Sequence, residues 1–162
     1  MDTQKETKIG SLTIAVIVLC ILPINVDWAK VGIYTGCDLS CRLLYSFFHA
    51  NILHAIMNVW CLLSVVFIYN IKLWLLITSY VIAVSIPTFC LTPTPTVGLS
   101  GMVFALFAML SFSVARKLYY QSWMIAYLVI GFLMPNVNAY LHLYCYIIGF
   151  GVALLTKPIK VR

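Results

Sequence analysis

The sequence predicts an all-α polytopic membrane protein, a bundle of six transmembrane helices forming one domain over residues 1–162. Three observations predict it. Hydrophobic residues make up 64% of the chain, only 10 basic and 4 acidic residues are present, and the apolar residues fall in continuous blocks of membrane-spanning length. A hydrocarbon core about 30 Å thick takes roughly 17 to 25 helical residues. Because the blocks are continuously apolar rather than alternating, helices are selected over a β-barrel: each helix satisfies its own backbone within lipid.

The first span covers residues 9–26. Lys5 and Lys8 precede it as they would a secretory signal, but no small-x-small cleavage site follows, and a retained helix is expected. Pro23 near its end, and Pro87 near the end of the third span, are tolerated there as kinks. A short outer loop, residues 27–46, leads to the second span, 47–69, which carries His49, His54 and Asn58. The third span is 73–91. Residues 92–96, Thr-Pro-Thr-Pro-Thr, are stiff and non-helical and lead into the fourth span, 98–114, which opens with Gly98-Leu99-Ser100-Gly101. The fifth and sixth spans are 119–134 and 138–155, the last containing His142.

Orientation follows from the basic residues. Lys5, Lys8, Lys72, Arg116, Lys117, Lys157, Lys160 and Arg162 fall on one side of a six-helix arrangement, and Lys30 and Arg42 on the other. The positive-inside rule then makes both termini cytoplasmic. The net charge of +6 is accordingly a matter of topology and anionic lipid. Nucleic acid is not expected as a partner, since no basic face or aromatic platform accompanies the charge.

The six cysteines do not form a disulfide framework. Cys20, Cys61, Cys90 and Cys145 lie in spans, where a thiol usually packs as a small apolar group. Cys37 and Cys41 lie in the outer loop, where an oxidising compartment permits a bond if the loop brings them together.

Spans two, four and six all run from outside to inside, and the polar groups of interest lie near the outer start of each. At about 1.5 Å per residue, His54 is expected roughly 10 Å and His142 roughly 6 Å below the first residue of its helix. Small residues favour close helix approach in lipid. Gly101, Ala105 and Ala108 supply such a face on span four, and Cys145 and Gly149 follow His142 at i+3 and i+7 on span six. A close crossing of these two spans puts the Ser100 hydroxyl within hydrogen-bond reach of the His142 imidazole, a nucleophile with its general base. His54 and Asn58, one turn apart, are candidate oxyanion donors, joined by backbone N–H groups near Leu99 and Ser100 that head a helix and lack intrahelical partners. Phe104, one turn after Ser100, is positioned to stack on His142.

His49-Ala-Asn-Ile-Leu-His54-Ala-Ile-Met-Asn58, Gly98-Leu-Ser100-Gly101 and His142, in this order and on spans two, four and six, resemble the rhomboid intramembrane serine proteases. The resemblance covers the whole six-helix core. It implies a Ser100–His142 dyad, an oxyanion site at His54 and Asn58, no cofactor or metal, and cleavage of transmembrane segments of membrane-protein substrates near the outer face. A bacterial inner membrane is the expected location. Gly149 matches a later glycine of the family. Cys145 stands where the family usually has glycine, and Arg42 follows Cys41 where the family often has a Trp-Arg pair. By the same resemblance the fifth span, with Trp123, Met124, Phe132 and Met134, is the expected lateral gate, with Met57 its counterpart.

Each residue also has a simpler role: Ser100 as a cap or packing serine, His142 as a bonded interior histidine, His49 as a brace for the first loop, Phe104 as packing, Arg42 as a snorkelling residue. Other intramembrane proteolytic chemistries lack their residues. No acidic residue lies within a span, which argues against a His-Glu-x-x-His zinc site, an aspartyl dyad or a carboxylate-driven transporter. Two other classes remain. A catalytically silent rhomboid-like protein would bind transmembrane helices without cutting them. A structural or small-solute bundle would leave Ser100 and His142 out of contact.

Overall fold

The computed structural model describes residues 3–22, 24–135 and 137–156, and of Thr3 the backbone alone. Asp2, Pro23 and the basic tail residues Lys157, Lys160 and Arg162 lie outside the described residues. Among these residues the protein is all-helical, with eight α-helices and no strand: α1 (Thr3–Ile21), α2 (Trp28–Val31), α3 (Leu39–Leu44), α4 (Ile52–Tyr69), α5 (Leu73–Val84), α6 (Ser100–Met109), α7 (Lys117–Leu133) and α8 (Ala139–Thr156), with a 3₁₀ turn at Thr88–Cys90. Two helices, α4 and α8, are long and apolar enough to cross a membrane. Large apolar side chains line the outer surface, among them Leu53, Trp60 and Ile68 on α4 and Ile147 and Leu154 on α8. A continuous surface of this kind is unfavourable in water and suits lipid.

Each expected span has a helix, but several bounds differ for local reasons. The second helix begins at Ile52 rather than residue 47, because Asn51 in extended conformation caps it, its Oδ1 accepting the His54 N–H at 2.8 Å. His49 therefore lies before the helix, and His54, its third residue, is only about 3 Å along its axis from the start, not 10 Å. The third helix stops at Val84, three residues before Pro87, whose ring disfavours helix at Ile86. The fourth is confined to Ser100–Met109, since the chain tightens into i→i+3 turns, with Ser111 N–H on the Ala108 carbonyl and Ser113 N–H on the Leu110 carbonyl. α1 begins and ends earlier than expected, and α7 ends at Leu133, two residues before Pro135.

α6 is the centre of the molecule. Gly101, Met102, Val103, Ala105, Leu106, Ala108 and Met109 are all buried, a helix covered nearly all round. α8 makes its closest packing, α5 and α4 flank it, and α1 covers α4 through Ala15 and Val18 on Ala55 and Val59. α7 is held by Met124 and Leu128 against Ala108 and Tyr146, by the Tyr120 hydroxyl donating to the Phe107 carbonyl, and by the Tyr146 hydroxyl donating to Gln121. Met124 is thus a core residue and not part of an exposed gate edge, whereas Trp123, Phe132, Met134 and Met57 are exposed.

The loop between α1 and α4 is a brace. Ile33 and Thr96 exchange backbone hydrogen bonds at 2.9 Å, and Thr35 N–H donates to Thr92 O at 3.0 Å. Arg42 is no snorkelling residue: half-buried, it donates from Nη1 to the Ile86 carbonyl. Cys37 and Cys41 are free thiols, the Cys41 thiol donating to the Lys30 carbonyl at 3.3 Å. Cys20 faces outward instead of packing inside.

Candidate active site

The segment entering α6 is drawn in tightly. Gly98 has φ +135°, a conformation that side chains rarely adopt, and a Cβ there would stand 2.7 Å from Cε1 of His54. Glycine is thus required both by the backbone and by the imidazole lying against it. Gly98 N–H donates to the Tyr45 carbonyl at 2.9 Å, and the fully buried Tyr45 hydroxyl donates to the Ala83 carbonyl at 2.9 Å. Tyr45 therefore ties the loop before Ser100 to α5; no sequence motif marks it.

α6 and α8 meet where small residues were expected. A Cβ on Gly149 would lie 2.5 Å from the Ala105 carbonyl oxygen and 3.0 Å from its Cα, so the helices touch backbone to side. Cys145 is fully buried, and a Cβ on Gly101 would lie 3.4 Å from its sulfur. The thiol is accommodated without separating the helices.

This approach joins Ser100 and His142: Ser100 Oγ and His142 Nε2 are 2.8 Å apart. With the serine donating, the ring proton sits on Nδ1. Phe104 stacks on His142 with centroids 4.4 Å apart and planes 16° from parallel, which fixes the imidazole in the orientation the serine needs. Both Ser100 and His142 are partly buried, and α7 closes against the histidine at Gly131, where a Cβ would lie 3.9 Å from His142 Nδ1.

The candidate oxyanion donors are arranged differently from expectation. The Leu99 N–H donates to His49 Nε2 at 3.2 Å and is not available, a correction to its expected role. His49, 5% exposed, consequently braces the turn into α6 and not the first loop alone; its Nδ1 faces the Phe47 carbonyl at 3.4 Å. His54 packs edge-on against His49 with centroids 5.1 Å apart. Asn58 is buried and donates from Nδ2 at 3.0 Å to the His54 carbonyl, leaving one further amide hydrogen. The Ser100 N–H, at the head of α6, makes no hydrogen bond among the described residues.

A cavity of about 640 Å³ adjoins the site. His54, Thr94, Thr96, Val97, Val137 and Asn138 contribute to its lining; Ser100 and His142, which follow Val97 and Asn138 by three and four residues in the chain, are not among the lining residues. Asn138, whose Oδ1 accepts the Leu141 N–H at 3.0 Å, starts α8 and so sets the position of His142 one turn later. Its place just before an apolar helical run was the available sequence signal.

Chemically, the arrangement is a hydroxyl polarised by an oriented imidazole, with donor groups at a helix start nearby. Compared with known proteins, the chain matches no protein-family model and no curated protein.

Proposed function

We propose that the chain is a rhomboid-type intramembrane serine endopeptidase, hydrolysing peptide bonds in or beside transmembrane helices of membrane-protein substrates. The observation that carries this reading is the 2.8 Å contact between Ser100 Oγ and His142 Nε2, with the histidine held by the Phe104 ring. In this reading α1, α4, α5, α6, α7 and α8 are six membrane-embedded helices. Both termini are cytoplasmic, the site opens to the outer face, and the protein resides in a bacterial inner membrane.

The reaction uses this chain's own residues throughout. His142 Nε2 accepts the Ser100 proton as Oγ attacks the scissile carbonyl, and the imidazolium then returns the proton to the departing amine. Charge that develops on the carbonyl oxygen is met by the Ser100 N–H and by His54 and Asn58. Water deacylates Ser100 by the same proton path in reverse. Substrate must unwind locally, because a helical peptide bond is shielded from attack, and the exposed outer end of α7 at Phe132 and Met134 is the side from which it enters.

The test is labelling of the purified protein in liposomes by a fluorophosphonate probe. Wild type should label, and Ser100→Ala and His142→Ala should not, while both variants keep the wild-type helical circular dichroism. A folded wild type that resists the probe would instead indicate a silent protein that binds transmembrane helices.

A further inference from the structure

Tyr45 is fully buried and is not part of the cavity lining, yet its contacts bracket the nucleophile. Its carbonyl accepts the Gly98 N–H at 2.9 Å, two residues before Ser100. On the other side, a Cβ added at Gly101 would stand 3.1 Å from the Tyr45 hydroxyl oxygen, so that oxygen lies against the residue that follows Ser100. One residue thus bears on the backbone both before and after the serine.

The hydroxyl is held there by the end of α5. In a continuing helix the Ala83 carbonyl would accept the N–H of residue 87, and Pro87 has none. The carbonyls of Ser85 and Ile86 lie past the last helical residue and need partners as well. Three side chains supply them. The Tyr45 hydroxyl donates to the Ala83 carbonyl at 2.9 Å, the Tyr144 hydroxyl on α8 to the Ser85 carbonyl at 3.2 Å, and Arg42 Nη1 to the Ile86 carbonyl. A phenol has one proton to give, and here it is committed to Ala83. The oxygen therefore cannot move away from Gly101 without leaving a buried carbonyl unpaired, which is unfavourable.

We propose that Tyr45 is a positioning residue for Ser100: its hydroxyl, fixed by the carbonyl that Pro87 leaves open, sets the start of α6 and with it the approach of Ser100 Oγ to His142 Nε2. Its effect is on the rate at which the serine attacks, not on what the site binds. The proposal rests on the protease reading above.

The test is the concentration dependence of fluorophosphonate labelling of the full chain in liposomes, which separates the limiting rate from the half-saturating probe concentration. Tyr45→Phe removes the hydroxyl and keeps the ring and the backbone. It should lower the limiting rate by about fivefold, the rate equivalent of one net hydrogen bond, with the half-saturating concentration unchanged. Loss of packing alone would lower the thermal midpoint or the fraction of molecules that label, and leave the limiting rate of those that do. Gly101→Ala presses on the same oxygen from the other side and should also slow the limiting rate, but by clearly less when combined with Tyr45→Phe, where the oxygen is gone. A folded Tyr45→Phe with the wild-type limiting rate, or a Gly101→Ala effect of equal size in both backgrounds, overturns the role of Tyr45 and leaves the protease standing. Should Tyr45→Phe fail to fold, Gly101→Ala alone decides, and a wild-type limiting rate in that variant overturns the proposal. A folded wild type that the probe does not label overturns the protease reading and this proposal together.

Discussion

Ser100 and His142 are 42 positions apart in the chain and 2.8 Å apart in space, and single side chains decide whether that contact is productive. Phe104 is the clearest case. Its ring covers one face of the imidazole at 4.4 Å, and an aliphatic side chain would fill the space without fixing the plane. Phe104→Leu is expected to slow fluorophosphonate labelling by up to about tenfold, the worth of one aromatic contact, with little change in thermal midpoint. A rate equal to wild type would show that the stacking is packing only. His49 illustrates how residue type can be legible while role is not: a buried histidine between spans invites a functional reading, yet its acceptor nitrogen is occupied by the Leu99 N–H. The bond runs between positions 50 apart, and no local pattern encodes it.

At the scale of helices, the contact between Ser100 and His142 depends on how closely α6 and α8 approach. Gly149 leaves no room for a Cβ, whereas Gly151, one turn or less away on the same helix, has nothing within 4 Å. Gly149→Ala should therefore lower the thermal midpoint, with about 1–3 kcal/mol of overpacking cost, and sharply reduce labelling. Gly151→Ala should do neither, beyond the small gain of helix propensity. Equal behaviour of the two variants, measured by thermal melting in detergent and by probe labelling, would disprove the close-contact account. The end of α5 and the start of α6 have the same origin as the site. Pro87, Pro93 and Pro95 keep α-helix out of the stretch between them, which holds only the 3₁₀ turn Thr88–Cys90, and α6 starts at Ser100 with its backbone N–H unpaired.

For the whole molecule, α6 is wrapped by its neighbours while α4, α7 and α8 present apolar residues outward. The six-span reading makes one direct prediction. With the positive-inside orientation, residues 92–97 lie outside and residues 114–117 inside. A cysteine introduced at Thr94 should react with a membrane-impermeant maleimide added to intact cells, and one at Lys117 only after permeabilisation. The reverse pattern would invert the protein, and reaction at both sites from outside would remove a crossing between them.

Composition and periodicity determined that the chain is helical and that its apolar blocks are separated by short connections, since those features rest on local spacing. The pairing of Ser100 with His142 and Phe104 was expected from helix order, small-residue faces and the family resemblance, with the cost of polar groups in an apolar setting marking the residues. Helix ends were less legible where caps and prolines acted against hydropathy, as at Asn51 and Ile86. Only the tertiary structure decided that Leu99 is spent on His49, that Met124 is core, that Arg42 is tethered to Ile86 and that Tyr45 reaches the Ala83 carbonyl. Those outcomes depend on which atoms distant segments bring within about 3 Å of one another, and hydrogen bonding is selective at that range while hydrophobic patterning is not.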